Sequence, residues 1–137
     1  MNLILFIHQD SPETGETFKK IIMQKFNVTE IHTIETLNTF KAKLKKPTHY
    51  NNEVYILFID SCQRLKELKS LVDLLDGKQL IMVLPDDSKS TLSLAHQFFP
   101  RYFTIINETY DDLCAVLSKI SDKISGKISD KIKADKT

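Results

Sequence analysis

The stretch Val54-Tyr55-Ile56-Leu57-Phe58-Ile59-Asp60-Ser61 runs apolar without a break and then stops on an aspartate and a serine. A strand has that pattern when helices cover both of its faces, so it predicts a central strand of a parallel sheet. Working outward, other runs of strand length start near Leu3, Val28, Gln79 and Tyr102, and neighbouring starts lie 23 to 26 residues apart. The segments between them carry apolar residues at helical spacing. Phe18, Ile21, Ile22 and Phe26 share one face, as do Leu37, Phe40 and Leu44. A third stripe holds Leu65, Leu68, Leu71, Val72 and Leu75, and a fourth Leu94, Ala95, Phe98 and Phe99. The last holds Leu113, Val116, Leu117, Ile120 and Ile124. Strands alternating with helices predict βαβ units and a parallel sheet.

The strands also suggest their order. Leu3–Ile7, Val54–Ile59 and Leu80–Leu84 are unbroken apolar runs and belong in the middle. Val28–Ile34 contains Thr29, Glu30, His32 and Thr33, and Tyr102–Asn107 is mixed as well, so these two are the expected edges. The fold expected is α/β: a three-layer, open, parallel five-stranded sheet of order 2-1-3-4-5, the flavodoxin-like arrangement. Helix starts fit this frame. Ser11-Pro12-Glu13 offers a cap, a proline and an early acid; Ser61 can cap helix 3, and Asp87 or Ser88 helix 4. Thr109-Tyr110-Asp111-Asp112 looks like a capping box with Asp in place of Glu.

Composition narrows the function classes. The 137 residues suit one domain. Hydrophobic residues make up 42%, enough for a core without staples. The net charge is +1 and the only arginines are Arg64 and Arg101, a balance that argues against nucleic-acid binding. Cys62 and Cys114 form neither a CxxC nor a metal-ligand spacing and read as reduced thiols. The apolar run at Leu3–Ile7 is too short for a signal core or a membrane span, so the expected location is the cytoplasm and no membrane partner is expected. Glycines stand only at Gly15, Gly77 and Gly126, which leaves no room for a Walker loop or a dinucleotide fingerprint. Residues 1–124 are read as the domain, and 125–137 as a basic tail, helical or disordered, continuing an Ile repeat at Ile120, Ile124, Ile128 and Ile132.

Ligands of open α/β sheets sit beyond the carboxyl ends of the strands, at the point where the strand order reverses, here between strands 1 and 3. The residues delivered there are His8, Gln9 and Asp10; Asp60 and Ser61; Pro85, Asp86 and Asp87; and Asn107 with Glu108. With Asp60 ending the third strand of five such units, residues 1–124 resemble the response-regulator receiver domain. The fifth unit is similar as well: Pro100-Arg101-Tyr102-Phe103, then Asp111-Asp112-Leu113, looks like the last strand and helix of divergent receivers. The resemblance implies an aspartyl phospho-acceptor at Asp60. It also implies an acidic pair after strand 1 for Mg²⁺, a Ser or Thr after strand 4 and a Lys after strand 5, which neutralise charge during phosphoryl transfer.

Only the acceptor is present. The acidic pair falls on His8-Gln9 or Gln9-Asp10, leaving Asp10 and Asp60 as the metal ligands if there are any. The hydroxyl position falls on Pro85 or a neighbour, with no hydroxyl before Ser88, and the Lys position on Ile106 or Asn107. A phosphoryl group on Asp60 is therefore expected to meet no local cation. The reading is a pseudo-receiver, a signalling module without resident cofactor or enzymatic activity that acts by protein contact. A receiver that still accepts phosphate on Asp60 with Mg²⁺ is the alternative. The resemblance places a partner or homodimer contact on the helix 4–strand 5–helix 5 face. There Phe98, Phe99 and Phe103 are expected in the core and His96, Arg101 and Tyr102 are candidate contacts.

Two rival chemistries have some footing. Thr14-Gly15-Glu16-Thr17 resembles the phosphate loop of flavodoxins, although Glu16 would face the FMN phosphate and no aromatic or glycine follows strands 3 and 4. A metal-dependent hydrolase would use Asp10, Asp60, Asp86 and Asp87, residues that more often serve as helix caps. The histidines His8, His32, His49 and His96 show no ligand pairing.

Overall fold

Alternating apolar strands and amphipathic helices place every strand parallel to its neighbours. In the computed structural model the described residues are 2–11, 13–25, 30–46, 53–107 and 109–122. The elements are β1 (Asn2–Ile7), α1 (Glu13–Lys25), β2 (Glu30–Ile34), α2 (Leu37–Lys45) and β3 (Glu53–Phe58). Next comes α3, which runs Cys62–Leu68, tightens into a 3-10 turn at Lys69–Leu71 and ends with Val72–Leu75. Then follow β4 (Gln79–Leu84), α4 (Lys89–His96), β5 (Tyr102–Ile105) and α5 over residues 111–122. The sheet order is β2-β1-β3-β4-β5, all pairs parallel, as the sequence pattern predicts. The start of the expected second strand at Val28 and the tail beyond 122 lie outside the described residues.

Period-two alternation divides the apolar residues between two cores. Ile4, Phe6, Tyr55, Leu57, Leu80 and Met82 face α2, α3 and α4. Leu3, Leu5, Ile7, Val54, Ile56, Phe58, Ile81 and Val83 face α1 and α5. The three middle strands are buried along nearly their whole length on both sides. Gly15 sits where a Cβ would come within 2.8 Å of Ile7 Cγ2, so the missing side chain lets α1 lie close on β1. Gly77, at φ +79°, makes the left-handed turn into β4.

Ser61 and Ser88 cap α3 and α4 by accepting from the Arg64 and Thr91 amides, as expected. The capping box at Thr109 does not form. Helix α5 starts one residue later than it requires, and the Asn107 side chain takes over the loop, accepting from the Thr109 and Tyr110 amides at 3.1 and 2.6 Å. Tyr110 precedes the helix at φ +54°, a costly conformation for a bulky residue. It is held there by burial: its ring is 1% exposed and packs edge-on against Phe18 at 4.8 Å. That burial also pushes its phenol pKa up.

Candidate functional site

The carboxyl ends of the strands do gather the expected residues, and most of their polar atoms are already committed. Asp60, at the end of β3, is nearly buried, its side chain 10% exposed. One of its oxygens accepts from Arg64 Nε at 3.3 Å and the other from Ser11 Oγ at 3.4 Å. Capping by Ser61 starts α3 at Cys62, and one helical turn then brings residue 64 back over the strand end. Arg64 continues to Glu67 at 2.8 Å, so a single guanidinium ties the strand end to the helix. The expectation that Asp60 meets no local cation is thus overturned. The cation comes from α3 rather than from the end of β5, where the receiver pattern puts its lysine.

The remaining rim residues are folded onto their own loops. His8 Nδ1 accepts from the Asp10 amide at 3.1 Å, which places the proton of a neutral ring on Nε2. The Asp10 carboxylate stands 3.7 Å from the same nitrogen and is 75% exposed, so with a neutral ring this is proximity rather than an ion pair. Gln9 is exposed, and its amide donates to Glu35 O, closing β1 onto the end of β2. Pro85 is half-buried. Asp86 accepts from the Ser88 amide, and hydrogen bonds from Ser88 and Thr91 hold its carboxyl below the usual range. Asn107, in the lysine position, donates to Ile105 O and accepts from the two loop amides already described.

The metal readings find little to build on. Both oxygens of Asp60 already accept hydrogen bonds, so Mg²⁺ would have to displace Arg64 or Ser11. Among the described residues no three His, Cys, Asp or Glu side chains gather as metal ligands, and Asp10, Asp60, Asp86 and Asp87 do not converge. The flavodoxin-like tetrad Thr14–Thr17 is helical, and the Thr17 hydroxyl is spent on Glu13 O at 3.1 Å. A cavity of about 100 Å³ does open at the rim, but it lies between the ends of β1 and β2, against His8, Glu16, Thr33 and Glu35. Its two carboxylates suit neither a phosphate nor a phosphoryl group.

A different surface stands out on the α4–β5 side. Of the three phenylalanines expected in the core, Phe98 is there at 5% exposure. Phe99 is 86% exposed and Phe103 36%. Helix α4 ends at His96, and the backbone then passes through φ +50° at Phe99, which throws that ring outward. Phe103 lies on an edge strand, and the His96 ring sits beside it, 6.1 Å away and edge-on. Among the predicted contacts His96 and Arg101 are exposed. Tyr102 is only half-exposed, because its hydroxyl donates to Asp112 of α5 at 2.8 Å. Burial and Asp112 together push its pKa up to about 12. Thr104 donates to the same carboxylate at 2.7 Å. Burial alone would raise the Asp112 carboxyl, but the two hydroxyls and the amides at the α5 N-terminus outweigh it and hold it low. Periodicity could not flag Phe99, because it continues the stripe of α4 beyond the point where the helix stops.

Among the described residues no helix is long and apolar enough to cross a membrane. Compared with known proteins, the chain matches no family model, no curated protein and no solved structure.

Proposed function

We propose that this chain is a receiver-like module that works by contact with another protein and not by Mg²⁺-dependent phosphorylation of Asp60. The observation that carries the reading is the clasp on Asp60. Arg64 and Ser11 hold both carboxylate oxygens where a phospho-accepting receiver needs a metal and an open face. Asn107, in the lysine position, is spent on its own loop, which supports the same reading. The exposed Phe99 and Phe103 supply the kind of aromatic surface that protein interfaces favour. The test is amide NMR of the ¹⁵N-labelled chain with Mg²⁺ and beryllofluoride, a phosphoryl mimic. An unchanged spectrum is expected; shifts centred on Asp60 and spreading to Tyr102 would overturn the reading.

The same arginine favours a second reading. Arg64 sets a positive charge beside Asp60, and a guanidinium can stabilise a phosphoryl group as a metal does. On this reading Asp60 accepts phosphate without Mg²⁺. Incubation with acetyl phosphate in EDTA, followed by intact mass, separates the two: a phosphoryl adduct lost in Asp60→Asn supports the second, and an unmodified chain supports the first.

A further inference from the structure

We propose that the open edge of β5 is a docking site for an extended segment of a partner protein, alternating apolar and acidic side chains, which adds to the sheet as a further strand. The inference rests on the contact-module reading and specifies the partner's chemistry.

An open groove of about 650 Å³ is lined by His96, Phe99, Pro100, Arg101, Tyr102 and Phe103. Neighbouring residues of a strand point to opposite faces. Tyr102 reaches Asp112 on the α5 side, while Phe103 meets His96 on the α4 side. A groove that touches both therefore runs along the strand's open edge, not across one face. Among the described residues β5 pairs only with β4. The Arg101 amide is turned inward to Leu80 O. Arg101 precedes the strand; within it, alternation counted back from the Ile106 amide, which donates inward to Leu84 O, turns the Thr104 amide inward too and leaves those of Phe103 and Ile105 facing outward, with no strand partner among the described residues and ready for strand addition. Edges are usually blunted by Lys or Pro, and Tyr102–Ile105 contains neither.

The side chains then select the occupant. Phe99 holds a left-handed backbone conformation at the end of α4, where its amide donates to His96 O, and exposes almost its whole ring. An apolar side chain laid in the groove would cover that ring. From Ser88 to Asn107 the chain has no Asp or Glu, while Lys89, His96 and Arg101 supply basic groups. Among the described residues Asp112 is the acid hydrogen-bonded to the groove's lining, and its carboxylate is already shared by Tyr102 and Thr104. A carboxylate at alternate positions of an added strand would therefore find His96 and Arg101, whose guanidinium donates to the neutral Gln79 side chain at 3.2 Å, with no competing carboxylate hydrogen-bonded to either among the described residues. A second copy fits less well, because a two-fold contact through this edge would bring the same acid-free groove to both sides.

The test is selection of random linear peptides displayed on phage against the immobilised full chain. Enriched peptides are expected to alternate apolar and acidic residues. Added to the ¹⁵N-labelled protein, they should slow exchange of the Phe103 and Ile105 amides. Binding should weaken about tenfold or more in Arg101→Glu, the scale of a lost anchoring contact. It should weaken as well in Phe99→Gly, which removes the ring at a position where glycine is at ease. No enrichment over a blank surface, enriched peptides without acidic bias, or protection that maps away from β5 would each overturn the proposal. So would a concentration-dependent dimer in sedimentation that protects the same amides. Beryllofluoride shifts at Asp60 on the same sample would defeat the contact-module reading independently of what the peptides do.

Discussion

The carboxyl rim of the sheet and the open edge of β5 adjoin each other, yet they treat their side chains in opposite ways. At the rim, polar residues that could serve a ligand serve the fold instead. Asp60 is clasped, Asp86 caps its loop, Asn107 holds the turn, and His8 accepts from a nearby amide. At the edge, apolar residues that could serve the core do not: Phe99 and Phe103 face outward, and among the described residues the strand's outer peptide groups have no neighbouring strand. Buried polar atoms that satisfy one another have little left for a ligand, whereas exposed apolar surface gains by being covered. The difference directs the search for function away from the conventional switch point of the fold. It also implies that rim substitutions cost stability and edge substitutions cost binding.

The largest effect is expected at Tyr110, which plugs the rim from below. Its ring is 1% exposed and packs edge-on against Phe18, so Tyr110→Ala should destabilise the chain by about 3–5 kcal/mol, the usual cost of emptying an aromatic site. Urea unfolding measures this, and a loss below about 1 kcal/mol would mean that the rim does not depend on the plug. Next comes the clasp. Arg64→Ala leaves the nearly buried Asp60 carboxylate without its cation and should cost about 2 kcal/mol. Asp60→Asn combined with Arg64→Ala should recover much of that loss, because no buried charge then lacks a partner. If the double variant were as unstable as the sum of the singles, Arg64 would matter for packing and not for Asp60.

The strand order was legible in the sequence because burial on both faces leaves an unbroken apolar run, and β1, β3 and β4 have one while β2 and β5 do not. Asp60 was legible because a lone acid ending such a run must lie at the carboxyl rim. Arg64 was not, although it lies four residues away: its meaning depends on where α3 begins, and only the Ser61 cap sets the phase that swings it over Asp60. Asn107 was placed correctly but its job was hidden, since the sequence offered a capping box at Thr109 that the buried, left-handed Tyr110 displaces. Phe99 was misassigned for the same kind of reason. Its spacing continues a core stripe, and the end of a helix is a matter of backbone geometry that periodicity does not report.

Asp112 joins the two regions, and its effect is smaller and depends on pH. Its folded carboxyl lies below the ordinary value of about 3.9, so the stability it contributes is present above that value and lost as pH falls through the folded value. Wild type should therefore lose stability between about pH 5 and pH 3 more steeply than Asp112→Asn, which has no carboxyl to protonate. Parallel curves for the two proteins would mean that Tyr102 and Thr104 bind either side chain equally well.

The smallest change in stability should come from the most exposed ring. Phe99→Gly removes a side chain from a backbone at φ +50° and loses almost no buried surface, since the ring is 86% exposed. Relief of the left-handed strain is worth about 1–2 kcal/mol, and the greater freedom of glycine in the unfolded chain takes back about 0.5–1 kcal/mol. The balance is a slight stabilisation, on the order of 0.5 kcal/mol, read as a small rise in the urea midpoint with an unchanged slope. Such a gain would show that the outward Phe99 is held at a cost to the fold, which sharpens the contrast with the rim. A loss of more than about 1 kcal/mol would show instead that the ring packs on the protein's own surface, and the edge of β5 would then be as self-satisfied as the rim.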